Sequence, residues 1–393
     1  MPLLDKFSSF LEDRKQLLSV KPDIFGTKID KMYSATEANI DGHKVLLAGT
    51  NNYLGLTFNK ECMDAAHKAI DEEGTGTTGS RMANGNYSLH LELEKDLADL
   101  YHCNHCIVFS TGYQANLGTI SGLAGTGDVL LIDAHCHASI YDGCKLSGAE
   151  IIRFRHNDPD DLNKRLNRLG DRAQSSLVIV EGIYSMLGDT APLKEFVECK
   201  KQYDSYLMID EAHSLGVLGD TGQGLVEVAG VGKDVDFITG TFSKSLGSIG
   251  GYCASNHSQL DAIRYMSRPY IFTASPSPSN MASARAALVL LKEGKHLREN
   301  LWKQSNRLYA HLKNLGYKLG PEPGPVIAAQ LDTPEEALHI WTTLIKKGLY
   351  VNLIFPPASP QNMPLLRISI SAAHDDKQMD IICNVFSELT NEK

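Results

Sequence analysis

Gly240-Thr241-Phe242-Ser243-Lys244-Ser245-Leu246-Gly247, followed by Ile249-Gly250-Gly251, sets one lysine among small hydroxyl residues and glycines. The apolar run Phe237-Ile238-Thr239 leads into it, so the lysine reads as an amine held just past the end of a strand. Such an amine can form a Schiff base with a carbonyl. The octapeptide alone reads more simply as a solvated loop lysine among turn glycines. What separates the two readings is whether other strand ends bring partners to the same place.

Outward from that stretch, helical and strand-like segments alternate from Leu89 onward. Apolar runs predict strands at Ile107-Val108-Phe109, Val129-Leu130-Leu131-Ile132, Ile151-Ile152-Arg153-Phe154, Leu177-Val178-Ile179-Val180, Tyr206-Leu207-Met208-Ile209 and Phe237-Ile238-Thr239. Helical spacing fills residues 114–123, 158–169 and 193–203 between them, and 60–72 before them. Apolar strands that alternate with helices imply an α/β fold, a mostly parallel central sheet covered on both faces. Ligand chemistry then belongs at the carboxyl ends of the strands.

After Ala274-Ser275-Pro276-Ser277-Pro278 the pattern changes. Two helices, near 279–293 and 296–315, lead into a smaller α+β pattern with strands near 326–331, 349–353 and 365–371. The expected organisation is therefore an N-terminal segment over 1–47, a large domain over 48–280 and a small C-terminal domain over 281–393. The N-terminal segment combines an amphipathic helix (Leu4, Phe7, Phe10, Leu11, Leu17, Leu18) with a hairpin around Asp41-Gly42. The glycine-rich loop Gly74-Thr75-Gly76-Thr77-Thr78-Gly79-Ser80-Arg81 lacks the Lys-Ser/Thr ending of a nucleotide-binding P-loop, and reads as a flexible connection or as backbone close to a ligand or partner subunit.

The chain has 393 residues, 42% of them hydrophobic, enough for a large core. Its net charge of −9 supplies no overall basic field for nucleic acid or an acidic bilayer. The opening Met1-Pro2-Leu3-Leu4-Asp5-Lys6 has no signal-type apolar core, and no apolar run reaches membrane-spanning length, so a soluble cytoplasmic protein is expected. Eight scattered cysteines fit reduced thiols. Cys103-Asn104-His105-Cys106 has no second Cys-x-x-Cys to complete a zinc site and reads as a helix-to-strand turn.

The strand ends carry the chemistry. Phe109 runs into Ser110-Thr111-Gly112-Tyr113-Gln114-Ala115-Asn116, whose free N–H groups and helix dipole suit a phosphate, although the same turn also serves as plain capping. Ile132 runs into Asp133-Ala134-His135-Cys136-His137-Ala138-Ser139, where one imidazole can lie flat against a ring and move protons near neutral pH, or the pair can simply be satisfied histidines. Val180 runs into Glu181-Gly182-Ile183-Tyr184-Ser185, which offers a hydroxyl at Ser185. Ile209 runs into Asp210-Glu211-Ala212-His213. An aspartate leaving a wholly apolar strand is poorly placed unless a cation meets it, and a protonated pyridinium nitrogen is such a cation. His213 then comes within reach of a ring hydroxyl. Metal binding by Asp-Glu-x-His finds no second acid-and-histidine cluster to complete a coordination set, so no metal is expected. A Schiff-base lysine, a counter-charge, a phosphate cradle and a stacking group together point to pyridoxal 5′-phosphate (PLP).

These motifs resemble the α-oxoamine synthases, a PLP-dependent family of fold type I that condenses an amino acid with an acyl-CoA. The resemblance runs from Asn51-Asn52-Tyr53-Leu54-Gly55 to Leu366-Arg367-Ile368-Ser369 with the motifs in the family's order. Arg81-Met82-Ala83-Asn84-Gly85, His137-Ala138-Ser139-Ile140-Tyr141-Asp142-Gly143, Arg268-Pro269-Tyr270-Ile271-Phe272-Thr273-Ala274-Ser275 and Gly348-Leu349-Tyr350-Val351-Asn352 are most similar to its soluble bacterial branch that joins serine to palmitoyl-CoA.

The resemblance implies roles. Lys244 binds PLP and later acts as the base at the substrate Cα; His137 stacks on the ring, Asp210 pairs with its nitrogen and His213 contacts its hydroxyl. Gly112 and Tyr113 bind phosphate through the backbone, with hydroxyls from Ser185 and Thr241. Thr273 reaches the phosphate of a neighbouring subunit, which implies a homodimer with shared sites. Asn52 and Arg367 hold the amino-acid carboxylate. The implied reaction is decarboxylative condensation of L-serine with a long-chain acyl-CoA, giving 3-oxosphinganine, CoA and CO2, the first step of sphingolipid synthesis. Transient contact with a membrane surface during product release stays open. One position departs from the branch: Phe355 precedes Pro356-Pro357-Ala358 where an arginine is expected. Two other readings therefore stand beside the first. One is a sister synthase of the 2-amino-3-ketobutyrate or 8-amino-7-oxononanoate type, using glycine or alanine; the other is a catalytically silent partner subunit.

Overall fold

Seven short segments pair edge to edge in the spatial order His105–Phe109, Gly251–Ser255, Phe237–Thr241, Tyr206–Asp210, Ser176–Glu181, Val129–Asp133 and Glu150–Phe154. These coordinates are a computed structural model, which describes residues 2–391 apart from 9–10, 13–14, 16–25, 357 and 360–362. The apolar runs become buried strands because both faces of the sheet are covered. Val129 and Leu131 join one apolar cluster while Leu130 and Ile132 join another; Val178 and Val180 divide from Leu177 and Ile179 in the same way. Each such side chain contributes about 1.5–3 kcal/mol on leaving water.

Five of the strands run parallel to their neighbours, as alternation with helices predicts. Gly251–Ser255 is antiparallel to both strands beside it and was not expected, since Tyr252-Cys253-Ala254 lacks the β-branched run that marks the others. It returns directly from the Lys244 loop, a connection short enough only for antiparallel pairing. Gly251 has to be glycine there. A Cβ would lie 2.6 Å from both the Gly112 Cα and the Thr111 carbonyl oxygen.

The connecting helices carry explicit start and stop signals. Pro159–Leu169 begins with Asp158 accepting from the Asp161 N–H, has proline in its first turn, buries Leu162 and Leu166, and gives way to Gly170. Cys103 and Asn104 form the turn into His105–Phe109, after His102 ends the preceding helix in a left-handed conformation (φ 54°).

The chain divides into two compact units, residues 51–303 and residues 1–50 with 304–393. The division falls inside helix Lys295–Asn314 rather than near 280. Helix Pro278–Glu293 belongs to the larger unit because its Ala284, Ala287, Leu288 and Leu291 join the apolar cluster that holds Leu93 and Leu97.

In the smaller unit the hairpin Glu37–Ile40/His43–Leu47 turns at Asp41-Gly42, and Leu349–Tyr350 adds to it in parallel. That pairing draws residues 1–50 into the same unit as the C-terminal residues. A second sheet orders Lys318–Leu319, Val326–Gln330, Leu365–Ser369 and Asn352–Ile354. Of the expected opening helix, Phe10, Leu17 and Leu18 lie outside the described residues. Asp5–Phe7 is a 3-10 turn, Ser8, Leu11, Glu12 and Lys15 are helical, and Leu4, Phe7 and Leu11 are exposed. Pro357 of the Pro-Pro-Ala turn also lies outside them. Among the described residues no helix is long and apolar enough to cross a membrane.

Candidate active site

The carboxyl ends of the strands in the larger unit surround a cavity of about 310 Å³. Lys244 lines it from the loop after Phe237–Thr241, and Asp210 and His213 from the end of Tyr206–Asp210. His137 lines it after Val129–Asp133, and Gly112 and Tyr113 line it at the start of helix Gly112–Leu123. Thr241 completes the group, with its Oγ1 donating to the Gly250 carbonyl at 3.1 Å. Seven residues expected from sequence thus meet in one cavity, although they span 133 positions from Gly112 to Lys244, counted inclusively.

Asp210 is 5% exposed, and both of its oxygens take neutral donors: Ala212 N–H at 2.9 Å and Asn116 Nδ2 at 2.7 Å. Neither donor carries a charge, so the site keeps room for a cationic partner beside this carboxylate. His213 is buried, with Nδ1 2.7 Å from the Tyr53 hydroxyl. His137 caps helix Ala138–Ser147. Burial lowers its pKa and the Lys244 charge adds to this, while Asp210 opposes it, so the ring is held neutral.

Thr111 caps helix Gly112–Leu123, accepting from Gln114 N–H at 3.1 Å, so the amino end of this 12-residue helix faces the cavity. Its dipole and first-turn N–H groups favour an anion there. A Cβ on Gly112 would lie 2.6 Å from the Thr241 Cβ, which brings the backbone of one element against the hydroxyl of the other.

Four expected residues stand apart from this lining. Ser185 is buried, and Thr273 Oγ1 accepts from Gln114 Nε2 at 3.0 Å. Asn52, also buried, donates from Nδ2 to Thr57 Oγ1 at 2.8 Å. Arg367 belongs to the smaller unit, on Leu365–Ser369, where Nη1 donates to Ser369 Oγ at 3.0 Å.

Four residues were not singled out from sequence. Glu181 ends a wholly buried strand, lines the cavity and accepts the His137 backbone N–H. Burial pushes its carboxyl well up, and neighbouring Asp210 adds to that. Its signal was available: a carboxylate closing the apolar run Leu177–Val180, the argument that picked out Asp210. Asn116, Ser139 and Tyr53 announce themselves only through contacts between segments distant in sequence.

An amine, a buried carboxylate, a neutral imidazole and a helix amino end around one cavity fit an anionic, ring-bearing carbonyl cofactor. The chain matches the family described as aminotransferase class I and II over residues 43–386, and it belongs to that family. It is 51% identical over 389 residues to a serine palmitoyltransferase of Caulobacter vibrioides, covering 99% of this chain and 96% of the relative. A solved Sphingomonas wittichii serine palmitoyltransferase superposes with a TM-score of 0.96 at 47% identity, covering 100% of this chain and 99% of that one. A lysine-to-alanine variant of the Sphingomonas paucimobilis enzyme, solved with a PLP–myriocin aldimine, gives 0.96 at 44% identity and covers 100% of both chains.

Proposed function

We propose that this protein condenses L-serine with a long-chain acyl-CoA, palmitoyl-CoA in the first instance, with release of CO2 and CoA. The observation that carries the reading is the meeting of Lys244, Asp210 and His137 in one cavity at the strand ends. Similarity along the whole chain to serine palmitoyltransferases supports the choice of substrates.

PLP, when bound, supplies an aldehyde for the amines and a ring that withdraws electrons from the substrate Cα. Lys244 would hold it through its amine and would serve as the base at the substrate Cα and as the acid that returns a proton there. Asp210 would pair with the ring nitrogen, and His213 would meet the ring hydroxyl. His137 would cover the ring. The N–H groups of Gly112 and Tyr113 and the hydroxyls of Thr241 and Ser185 would take the phosphate. The substrate carboxylate is assigned to Arg367, whose planar fork suits it, with Asn52 as a further donor.

The working form is a cytoplasmic homodimer in which Thr273 of one protomer reaches the phosphate of the other. Tyr265, Met266 and Phe272, exposed by 69%, 66% and 71%, lie beside Thr273 in sequence and supply apolar surface for that contact. Sedimentation of the purified protein tests the dimer. Phe355 favours one second reading, a sister synthase that uses glycine or alanine.

The deciding experiment follows the visible spectrum of the PLP-loaded protein with serine, glycine and alanine added separately. Serine is expected to change it most. A spectrum that responds only to glycine or alanine selects the sister synthase. Lys244→Ala is expected to lose the absorbance of the lysine-bound cofactor, and retention of the parental absorbance overturns the lysine assignment.

A further inference from the structure

His137 is held through a chain of polar groups that starts at Asp210. The Asp210 carboxylate can only accept, so the group of Asn116 that faces Asp210 Oδ2 at 2.7 Å is its NH2. The same Nδ2 reaches Ser139 Oγ at 2.9 Å, while Asn116 Oδ1 accepts from Thr239 Oγ1 at 2.9 Å, which fixes the amide orientation from both ends. Ser139 Oγ accepts from Asn116 and lies 2.8 Å from His137 Nδ1, where its own hydroxyl proton can be donated once Nδ1 is an acceptor. The backbone N–H of Ser139 also points at Nδ1, at 3.2 Å. Two donors converge on one ring nitrogen. Asn116, Ser139 and Thr239 are 3%, 1% and 1% exposed, so water does not compete for these bonds.

We propose that Asn116 and Ser139 are positioning residues that fix His137 as the Nε2–H tautomer, making it a hydrogen-bond donor into the cavity rather than a base. A nitrogen that accepts two hydrogen bonds carries no proton, so the neutral ring must carry its proton on Nε2. The acceptor it serves is an anionic or carbonyl oxygen in the cavity. The charged and titratable groups around it are consistent with a neutral ring: Asp210, Asp142 and Lys244 act on it, and Glu181 takes its backbone N–H. The inference rests on His137 being the residue that covers the cofactor, as proposed above.

The test uses the full-length protein with ring-15N histidine and long-range 1H–15N correlation spectra, with and without PLP. His137→Asn identifies the signals by their loss. The expected wild-type pattern, already present without PLP, is an unprotonated Nδ1 and a protonated Nε2. Ser139→Ala is expected to move the His137 signals toward a mixture of tautomers, Ser139→Thr to restore them, and Asn116→Ala to shift them in the direction of Ser139→Ala. A wild-type proton on Nδ1 overturns the proposal without any variant, and so does a Ser139→Ala spectrum that superposes on wild type. Because these readouts exist in the cofactor-free protein, they are separable from the reading of the site. Failure of PLP to bind Lys244 would remove the function and leave the tautomer assignment standing.

Discussion

The hydroxyl of Tyr53 lies 2.7 Å from Nδ1 of His213, a buried hydrogen bond between residues 160 positions apart. It helps to orient an imidazole that lines the cavity. Tyr53→Phe keeps the ring and its packing and deletes the hydroxyl. A lost buried hydrogen bond is worth about 1 kcal/mol, and more if its partner stays unsatisfied. The PLP dissociation constant, measured by fluorescence titration, is expected to rise roughly fivefold, the factor that this free energy represents. An unchanged constant would mean that His213 is placed without Tyr53.

Gly112→Ala tests the phosphate cradle by shape alone. The added methyl would lie 2.6 Å from Thr241 Cβ and 2.8 Å from Thr241 Oγ1, so one of the two elements has to move. Overpacking of this kind costs about 1–3 kcal/mol. The variant is expected to fold and to bind PLP at least about tenfold more weakly, 1.4 kcal/mol being a factor of ten. Wild-type affinity for PLP in a folded Gly112→Ala protein would remove the backbone of Gly112 from the cofactor site.

His156 predicts how stability depends on pH. Its two ring nitrogens lie 2.8 Å from Asp133 Oδ1 and 2.7 Å from Asp189 Oδ2, and since carboxylates accept, both nitrogens carry protons. Burial works against the charged ring, but hydrogen bonds and charge from the two aspartates outweigh it and raise the pKa to about 9. A pKa raised on folding gives stability that is complete below the unfolded value, about 6.5, and is lost as pH climbs through about 9. The shift corresponds to on the order of 3 kcal/mol. Asp133 acts in the opposite sense. Burial alone would raise its pKa, but the bond to His156 lowers it, so its contribution is present above the ordinary carboxylate range and lost in acid. Denaturant unfolding of wild type and His156→Gln should therefore differ most at mildly acidic pH, below about 6.5 but above the carboxylate range, and converge above pH about 9. A difference that stays constant across that range would show that the ring is not charged.

The residues that sequence could identify share one property: each is polar and follows an apolar strand. Lys244, Asp210 and His137 stand out because the preceding residues commit the backbone to the sheet, so a polar group there needs a reason. Glu181 meets the same criterion. Ser139, Asn116 and Tyr53 could not be ranked, since a serine near a helix start or a tyrosine in a turn is ordinary until its partner is known. Their partners arrive from 23 to 160 positions away. The six other segments of this sheet were legible from apolar runs, whereas Gly251–Ser255 gains strand form from its neighbours rather than from its own propensity. The boundary expected near 280 followed a proline-rich punctuation, but burial of one face of Pro278–Glu293 decides where the unit ends.

Arg367 carries the last prediction. It is 4% exposed on a strand of the smaller unit, where Nη1 donates to Ser369 Oγ. Phe355, half-buried just before Pro356, brings no charge where an arginine was expected. On the proposed reading, the carboxylate of the amino acid is assigned to Arg367, whose planar fork suits two-bond recognition. Hydrogen bonds to charged groups contribute about 1.5–3 kcal/mol each, or roughly 10- to 100-fold in affinity. Arg367→Ala is accordingly expected to raise the KM for serine by that factor while leaving the absorbance of the lysine-bound cofactor unchanged. Arg367→Lys keeps the charge without the fork and should fall between the two. Phe355→Arg supplies a second cation and should lower the KM for serine. If Arg367→Ala leaves the KM for serine unchanged, the carboxylate is held by other groups, and the substrate has to be sought among amino acids that those groups would select.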